Sequence, residues 1–284
     1  MLSPDKFYEY ELIDHGDVRK LERFGSKLSI RPEPSAVWNT NQDVLEWDKA
    51  SLIFEDEKGW VRKPDNEEWI VTYKLGKQSL KFLLKPSSSK HVGIFPEQAV
   101  NWDFIYDQCL QLKKKIEEPK VLNLFAYTGA ASLAASTAGA LVTHVDSSAS
   151  VVNWAKRNAE LNDITNIRWI VEDARKFVEK CIRRGDVFHG VIMDPPIFGL
   201  AKKGQAWKLN RDLEKLLIDV MQVLDPKHCF FVLNTYSPQL PMNKLVDILN
   251  KVHLLSRKYE KHTLGLVSKT GKELPLGNLI RYKR

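Results

Sequence analysis

Four short stretches hold the residues whose types and order could do chemistry. They are Ala126-Tyr127-Thr128-Gly129, Asp146-Ser147, Glu172-Asp173-Ala174 and Asp194-Pro195-Pro196-Ile197-Phe198. Gly129 lacks a Cβ, so a ligand can approach its backbone closely. Asp146 is a carboxylate suited to accepting from both hydroxyls of a ribose. Asp173, beside Glu172, suits an adenine amino group, and the Ala174 N–H suits an adenine ring nitrogen. Singly, each acid is most simply a turn or helix cap. Their order along the chain makes the set more telling, because each stretch follows a predicted strand, and ligands of open α/β sheets sit beyond the carboxyl ends of the strands.

Two adenosine-containing cofactors suit such an edge, a nicotinamide dinucleotide and S-adenosylmethionine. A pyrophosphate needs several glycines so that N–H groups can surround it at a helix N-terminus. The stretch NLFAYTGAAS has one glycine where GxGxxG would stand, which favours the phosphate-free cofactor. In DPPIF, two prolines stiffen the chain and remove two N–H donors. The carbonyls of Asp194 and Pro195 can then accept from a substrate, and Phe198 can stack on a flat base. The plain alternative for DPPIF is a rigid turn or a cis-proline.

The elements that must position these residues follow from periodicity. Residues 1–95 read as a β-rich domain. Trp69, Val71, Tyr73 and Leu75 alternate with Ile70, Thr72 and Lys74 before Gly76-Lys77-Gln78, and Leu80, Phe82 and Leu84 recur at every second position after it, which predicts a hairpin. Ser51–Phe54 and Trp60–Lys63 predict another. Trp38, Trp47, Trp60 and Trp69 could stack on bases, but half-buried sheet residues are the simpler reading. Residues 96–119 read as a linking helix, opened by Pro96 and carrying Trp102, Ile105, Cys109 and Leu112 on one face. Residues 120–284 alternate strand and helix and end in two strands with no helix between them. This predicts an α/β, Rossmann-like, mostly parallel sheet with one antiparallel strand at its edge.

Composition sets broad limits. The chain has 284 residues, 43% hydrophobic and 28% charged, with no apolar run of the length of a membrane span. The N-terminus mixes acidic with apolar residues, unlike a signal or transit peptide. Three cysteines, without a CxxC pair, fit a reducing cytoplasm. Seven histidines, among them His91, His144 and His189, form no HExxH, so no metal is expected. The net charge is +7, and Lys251–Arg284 alone holds nine Lys/Arg against two Glu, hence +7. A basic C-terminal surface leans toward a polyanion such as RNA.

NLFAYTGAAS, VDSS, EDA and DPPIF, in this order and spacing, resemble class I S-adenosylmethionine-dependent methyltransferases. The likeness is to the group with the large-subunit ribosomal RNA cytosine-C5 and guanine-N7 enzymes and their uncharacterised bacterial relatives. KHVGIFPEQAVNW resembles the segment that covers the cofactor in that group, SKTGKELPLGNLIRY a common ending, and LERFGSKLSIRPEPSAVW its small β domain. The resemblance implies a seven-stranded methyltransferase sheet. It implies that Phe125, Tyr127, Thr128 and Gly129 line the methionine end, Asp146 and Ser147 the ribose, and Glu172, Asp173 and Ala174 the adenine. Phe95, Gln98 and Trp102 would close the pocket, while Asp194, Pro195, Pro196 and Phe198 would face the methyl group and its target.

The cytosine enzymes of that group carry a cysteine past the fifth strand, where this chain has Asn234-Thr235-Tyr236-Ser237. Covalent C5 chemistry needs that thiolate, so transfer to a nitrogen of an RNA base is expected instead. On this resemblance the group's separate RNA-binding domain is expected to be missing at the N-terminus, which weighs against ribosomal RNA, and the motifs are specific for the cofactor and reaction and not for the substrate. Methylation of a small molecule or protein, or RNA binding without catalysis, are the alternatives.

Overall fold

A computed structural model describes residues 1–41, 43–63, 68–199, 205–252 and 258–284. They form two units, Met1–Val100 with Leu264–Leu276, and Asn101–Thr263 with Gly277–Arg284. The second unit is therefore not continuous in sequence, because residues 264–276 group with the first.

In the first unit, β1 (Tyr10–Gly16), β2 (Arg19–Phe24), β3 (Lys27–Pro32), β4 (Leu52–Glu55) and β5 (Gly59–Arg62) form a five-stranded sheet in that order. β6 (Trp69–Leu75) and β7 (Gln78–Leu84) form a separate hairpin. Both hairpins expected from alternation are present, and Val71, Tyr73, Leu75, Leu80, Phe82 and Leu84 are the buried half of the second. The tryptophans of this unit are half-buried. The Trp38 N–H donates to the His15 carbonyl at 3.0 Å and the Trp47 N–H to the Asp14 carboxylate at 3.0 Å, so these rings are tied into the sheet.

The second unit opens with α1 (Ala99–Lys113), whose first two residues group with the first unit and which follows a 3-10 turn at Pro96–Gln98. Then come β8 (Lys120–Leu124), α2 (Ala130–Thr137), β9 (Leu141–Asp146), α3 (Ala149–Glu160), β10 (Ile167–Val171) and α4 (Ala174–Arg184). β11 (Gly190–Met193), the two-residue strands β12 (Phe198–Gly199) and β13 (Trp207–Lys208), α5 (Leu209–Val223) and β14 (Phe230–Thr235) follow. α6 (Met242–Lys251), β15 (Glu260–Val267) and β16 (Glu273–Lys283) end the chain. The sequence reads as helical over 241–255; α6 covers Met242–Lys251 of that stretch, and residues 253–255 lie outside the described residues.

Seven strands pair in the order β10-β9-β8-β11-β14-β16-β15. β8 to β11 and β14 are parallel, and β16 joins β14 antiparallel. Strand side chains alternate between faces. Leu122 and Leu124 of β8 share one core with Val145, Val191, Met193, Phe231 and Leu233 and with the apolar faces of α4, α5 and α6. Asn123 lies on the other face of β8. There its amide donates to Ser132 of α2 at 2.9 Å, and Ser132 meets His144 of β9 at 3.0 Å. Burial pushes the His144 imidazole down to about 3, so it stays neutral at physiological pH and serves the core.

The strand order fixes where a ligand can bind. From β8 the chain winds to β9 and β10 on one side and to β11 and β14 on the other. This reversal opens a crevice at the carboxyl ends of β8 and β11.

Candidate cofactor and methyl-transfer site

Register aligns the sequence-predicted residues along one edge. Met193, Leu124, Val145 and Ile170 share a row across four neighbouring strands. The next position along each strand is Asp194, Phe125, Asp146 or Val171. At about 4.8 Å between strands these four span roughly 14 Å, enough for a nucleoside to lie across them.

The loop after β8 is held in an unusual shape. Phe125 (φ 56°), Tyr127 (φ 50°) and Gly129 (φ 92°) all adopt left-handed conformations. Such a backbone costs a non-glycine residue about 1–2 kcal/mol and persists only where its surroundings enforce it. The Asp146 carboxylate accepts from the Tyr127 N–H at 3.0 Å and from the Ser148 N–H at 2.9 Å. The Asn158 amide of α3 donates to the Thr128 carbonyl at 2.9 Å. Asp146 thus braces the loop after β8. Burial pushes its carboxyl above the ordinary range, against the lowering effect of these N–H donors.

Gly129 has a second reason to be glycine beside the one the sequence suggests. A Cβ there would lie 3.1 Å from the Ala155 Cβ and 3.3 Å from a Leu133 methyl. The positive φ and the packing of α2 on α3 demand glycine, independently of any ligand.

The stretch after β10 divides into two roles. Asp173 caps α4, accepting from the Arg175 and Lys176 N–H groups at 2.9 and 3.3 Å. It also pairs with the Arg175 guanidinium at 2.8 Å. Burial alone would raise its carboxyl, but the hydrogen bonds and charge of Arg175 bring it below the ordinary range. Its side chain is thus largely committed to capping, which narrows the adenine-acceptor role expected of it. Glu172 pairs with Lys180. The N–H of Ala174, a residue only 5% exposed, opens α4 and meets no acceptor among the described residues. A helix's first N–H groups lack intrahelical partners, so this donor is available to an acceptor such as a ring nitrogen.

The segment after β11 has no cis peptide bond. The Pro196 carbonyl accepts from the Trp207 indole N–H at 2.7 Å, and the Ile197 carbonyl from the Leu209 N–H at 3.0 Å. No donor among the described residues reaches the Pro195 carbonyl. Phe198 is 68% exposed. Trp102 is 2% exposed on the face of α1 that also buries Ile105 and Cys109, as a core residue would be. Phe95 and Gln98 fall in the first unit. Sequence reading missed Trp207, Arg175 and Asn158: Trp207 and Asn158 act through contacts 11 and 30 positions away, and Arg175 also reaches Asp212, 37 positions away.

The comparisons agree with this geometry. Residues 108–251 match the family described as conserved hypothetical protein 95. The crystal structure of the SAM-dependent methyltransferase from Agrobacterium tumefaciens is 33% identical, with a TM-score of 0.89, and the match covers 99% of this chain and 92% of that one. The chain belongs to this family and is a class I S-adenosylmethionine-dependent methyltransferase. The methyltransferase is also 30% identical to ribosomal RNA large subunit methyltransferase K of Neisseria meningitidis, over 74% of this chain and 61% of that protein. It is 26% identical to ribosomal RNA large subunit methyltransferase K/L of Legionella pneumophila, over 86% of this chain and 34% of that protein. The chain therefore spans less than two thirds of the length of these curated relatives.

The residues present fit the cofactor. A single glycine and no phosphate cradle follow β8, a carboxylate ends β9, and an unmatched N–H opens α4. Among the described residues, no group of three His, Cys, Asp or Glu could hold a metal, and no helix is long and apolar enough to cross a membrane.

Proposed function

We propose that this methyltransferase acts on a nitrogen of an RNA base, with ribosomal RNA the first substrate to test. The observation that carries the reading is the Asp194-Pro195 lip. It adjoins the cofactor loop in register, and its Pro195 carbonyl meets no donor among the described residues. Bound in the crevice, S-adenosylmethionine supplies an electrophilic methyl group on a sulfonium. For an exocyclic amine, the Asp194 carboxylate and the Pro195 carbonyl accept its hydrogens and direct the nitrogen lone pair at that methyl. The Asp194 carboxylate, or water, would take the proton that the amine releases. Alignment supplies most of the rate. Phe198 offers an exposed ring face for a base.

Nitrogen is favoured over carbon because the three cysteines are buried. Burial raises the thiols of Cys181 and Cys229 to about 11 and that of Cys109 further. None is the thiolate that C5 attack needs. The likeness to the Neisseria and Legionella ribosomal RNA methyltransferases supports RNA. On this reading residues 1–95 are an accessory β domain, 96–119 a linking helix and 120–284 the catalytic domain of a cytoplasmic enzyme.

The test is incubation with labelled S-adenosylmethionine and RNA from a strain lacking the protein, followed by nucleoside mass spectrometry. A labelled N-methylated nucleoside is expected. Label in protein or small molecules alone would overturn the reading. Asp194→Ala should abolish transfer while cofactor affinity stays within about threefold, since Asp194 acts on the target and not on the donor.

A further inference from the structure

We propose that Trp207 is a positioning residue that sets the height of the proline lip against the cofactor loop. The proposal rests on the reading of that lip as the substrate side. Two consecutive prolines have no N–H, so the lip cannot anchor itself by donating at those positions and must be held through its carbonyls. The Trp207 indole N–H holds the Pro196 carbonyl at 2.7 Å. Trp207 lies on β13, whose partner β12 carries Phe198 and Gly199. A Cβ on Gly199 would come 3.1 Å from the Trp207 Cβ, so glycine lets this short ribbon close on the indole.

The same ring reaches two other segments of the edge. Its centroid lies 5.0 Å from that of Phe125, the first left-handed residue of the loop after β8. The Arg175 guanidinium lies 5.8 Å from the indole centroid. Arg175 also binds Asp173 at the end of β10 and Asp212 of α5, the latter at 3.2 Å. One indole, 4% exposed, thus joins the loops after β8, β10 and β11. Any large apolar ring could fill this space, but only a buried donor can fix the Pro196 carbonyl. Misplacing reacting groups by about 1 Å costs on the order of a hundredfold in rate.

The test compares the wild type with Trp207→Phe, which keeps a ring and deletes the donor. Hydrogen exchange of the Ile197–Gly199 amides, calorimetry with S-adenosylmethionine, and initial rates with total RNA from the deletion strain are measured. In the variant these amides are expected to exchange at least about fivefold faster. kcat should fall at least about tenfold, while cofactor Kd and RNA KM stay within about threefold. Unchanged exchange, unchanged kcat, or a loss of cofactor affinity equal to the loss of rate would each overturn the proposal. If Trp207→Phe does not fold, benzothienylalanine at position 207, with sulfur in place of the N–H in a ring of the same shape, gives the same measurements. If the wild type transfers nothing to RNA, that failure belongs to the RNA reading, and exchange with calorimetry still decides the role of Trp207.

Discussion

Asp146 braces a left-handed loop, its carboxylate accepting from the Tyr127 N–H, and on the proposed reading it also accepts from the ribose of the cofactor. Hydrogen bonds to a charged acceptor contribute about 1.5–3 kcal/mol, so Asp146→Asn should weaken S-adenosylmethionine binding roughly tenfold to a hundredfold by calorimetry. Because burial raises this carboxyl, protonation removes the acceptor at a higher pH than for an exposed aspartate. Affinity is therefore present above the raised pKa and lost as pH falls through it. The same titration in Asp146→Asn should be flat in that window, and an unchanged pH profile would count against the ribose role.

The elements set what the residues can do. α4 begins on Asp173, whose cap satisfies two N–H groups. Removing such a cap costs about 1 kcal/mol. Asp173→Ala should then lower Tm by about 2–4 °C, and Asp173→Asn, which can still cap, by less. A loss of cofactor affinity without a Tm change would restore the direct adenine role to this side chain. The α2–α3 contact sets the glycine. Gly129→Ala puts a Cβ against Ala155 and forces a left-handed conformation on alanine. It should cost about 1–2 kcal/mol and weaken cofactor binding along with stability, as calorimetry and thermal melts can show.

At the scale of the whole molecule, charge is the quantity that bears on an RNA partner. The basic C-terminal segment is less of a surface than its count suggests. Arg281 is 8% exposed, bound to the Asn101 side chain at 3.0 Å and set over the Phe104 ring at 4.6 Å. Burial lowers its guanidinium to about 10. The remaining lysines and arginines can still meet phosphates. With about four such contacts, affinity for single-stranded RNA should fall roughly fiftyfold between 50 and 200 mM salt. A binding constant indifferent to salt in that range would argue for a small or uncharged substrate.

The alternation of strands and helices after residue 120, two hairpins of the first unit and the four strand-end stretches were legible in the sequence, because periodicity, caps and glycine stops are local properties of the chain; the strands β1 to β3 were not. The sequence also favoured a phosphate-free adenosine cofactor, since one glycine cannot replace several. Tertiary structure alone decided which acids are committed to capping, why Gly129 is glycine, and that Arg281 is buried. It alone brought Trp207, Phe125, Arg175 and Pro196 together. These contacts join residues tens of positions apart, and their distances depend on sheet order and packing, which no local pattern encodes.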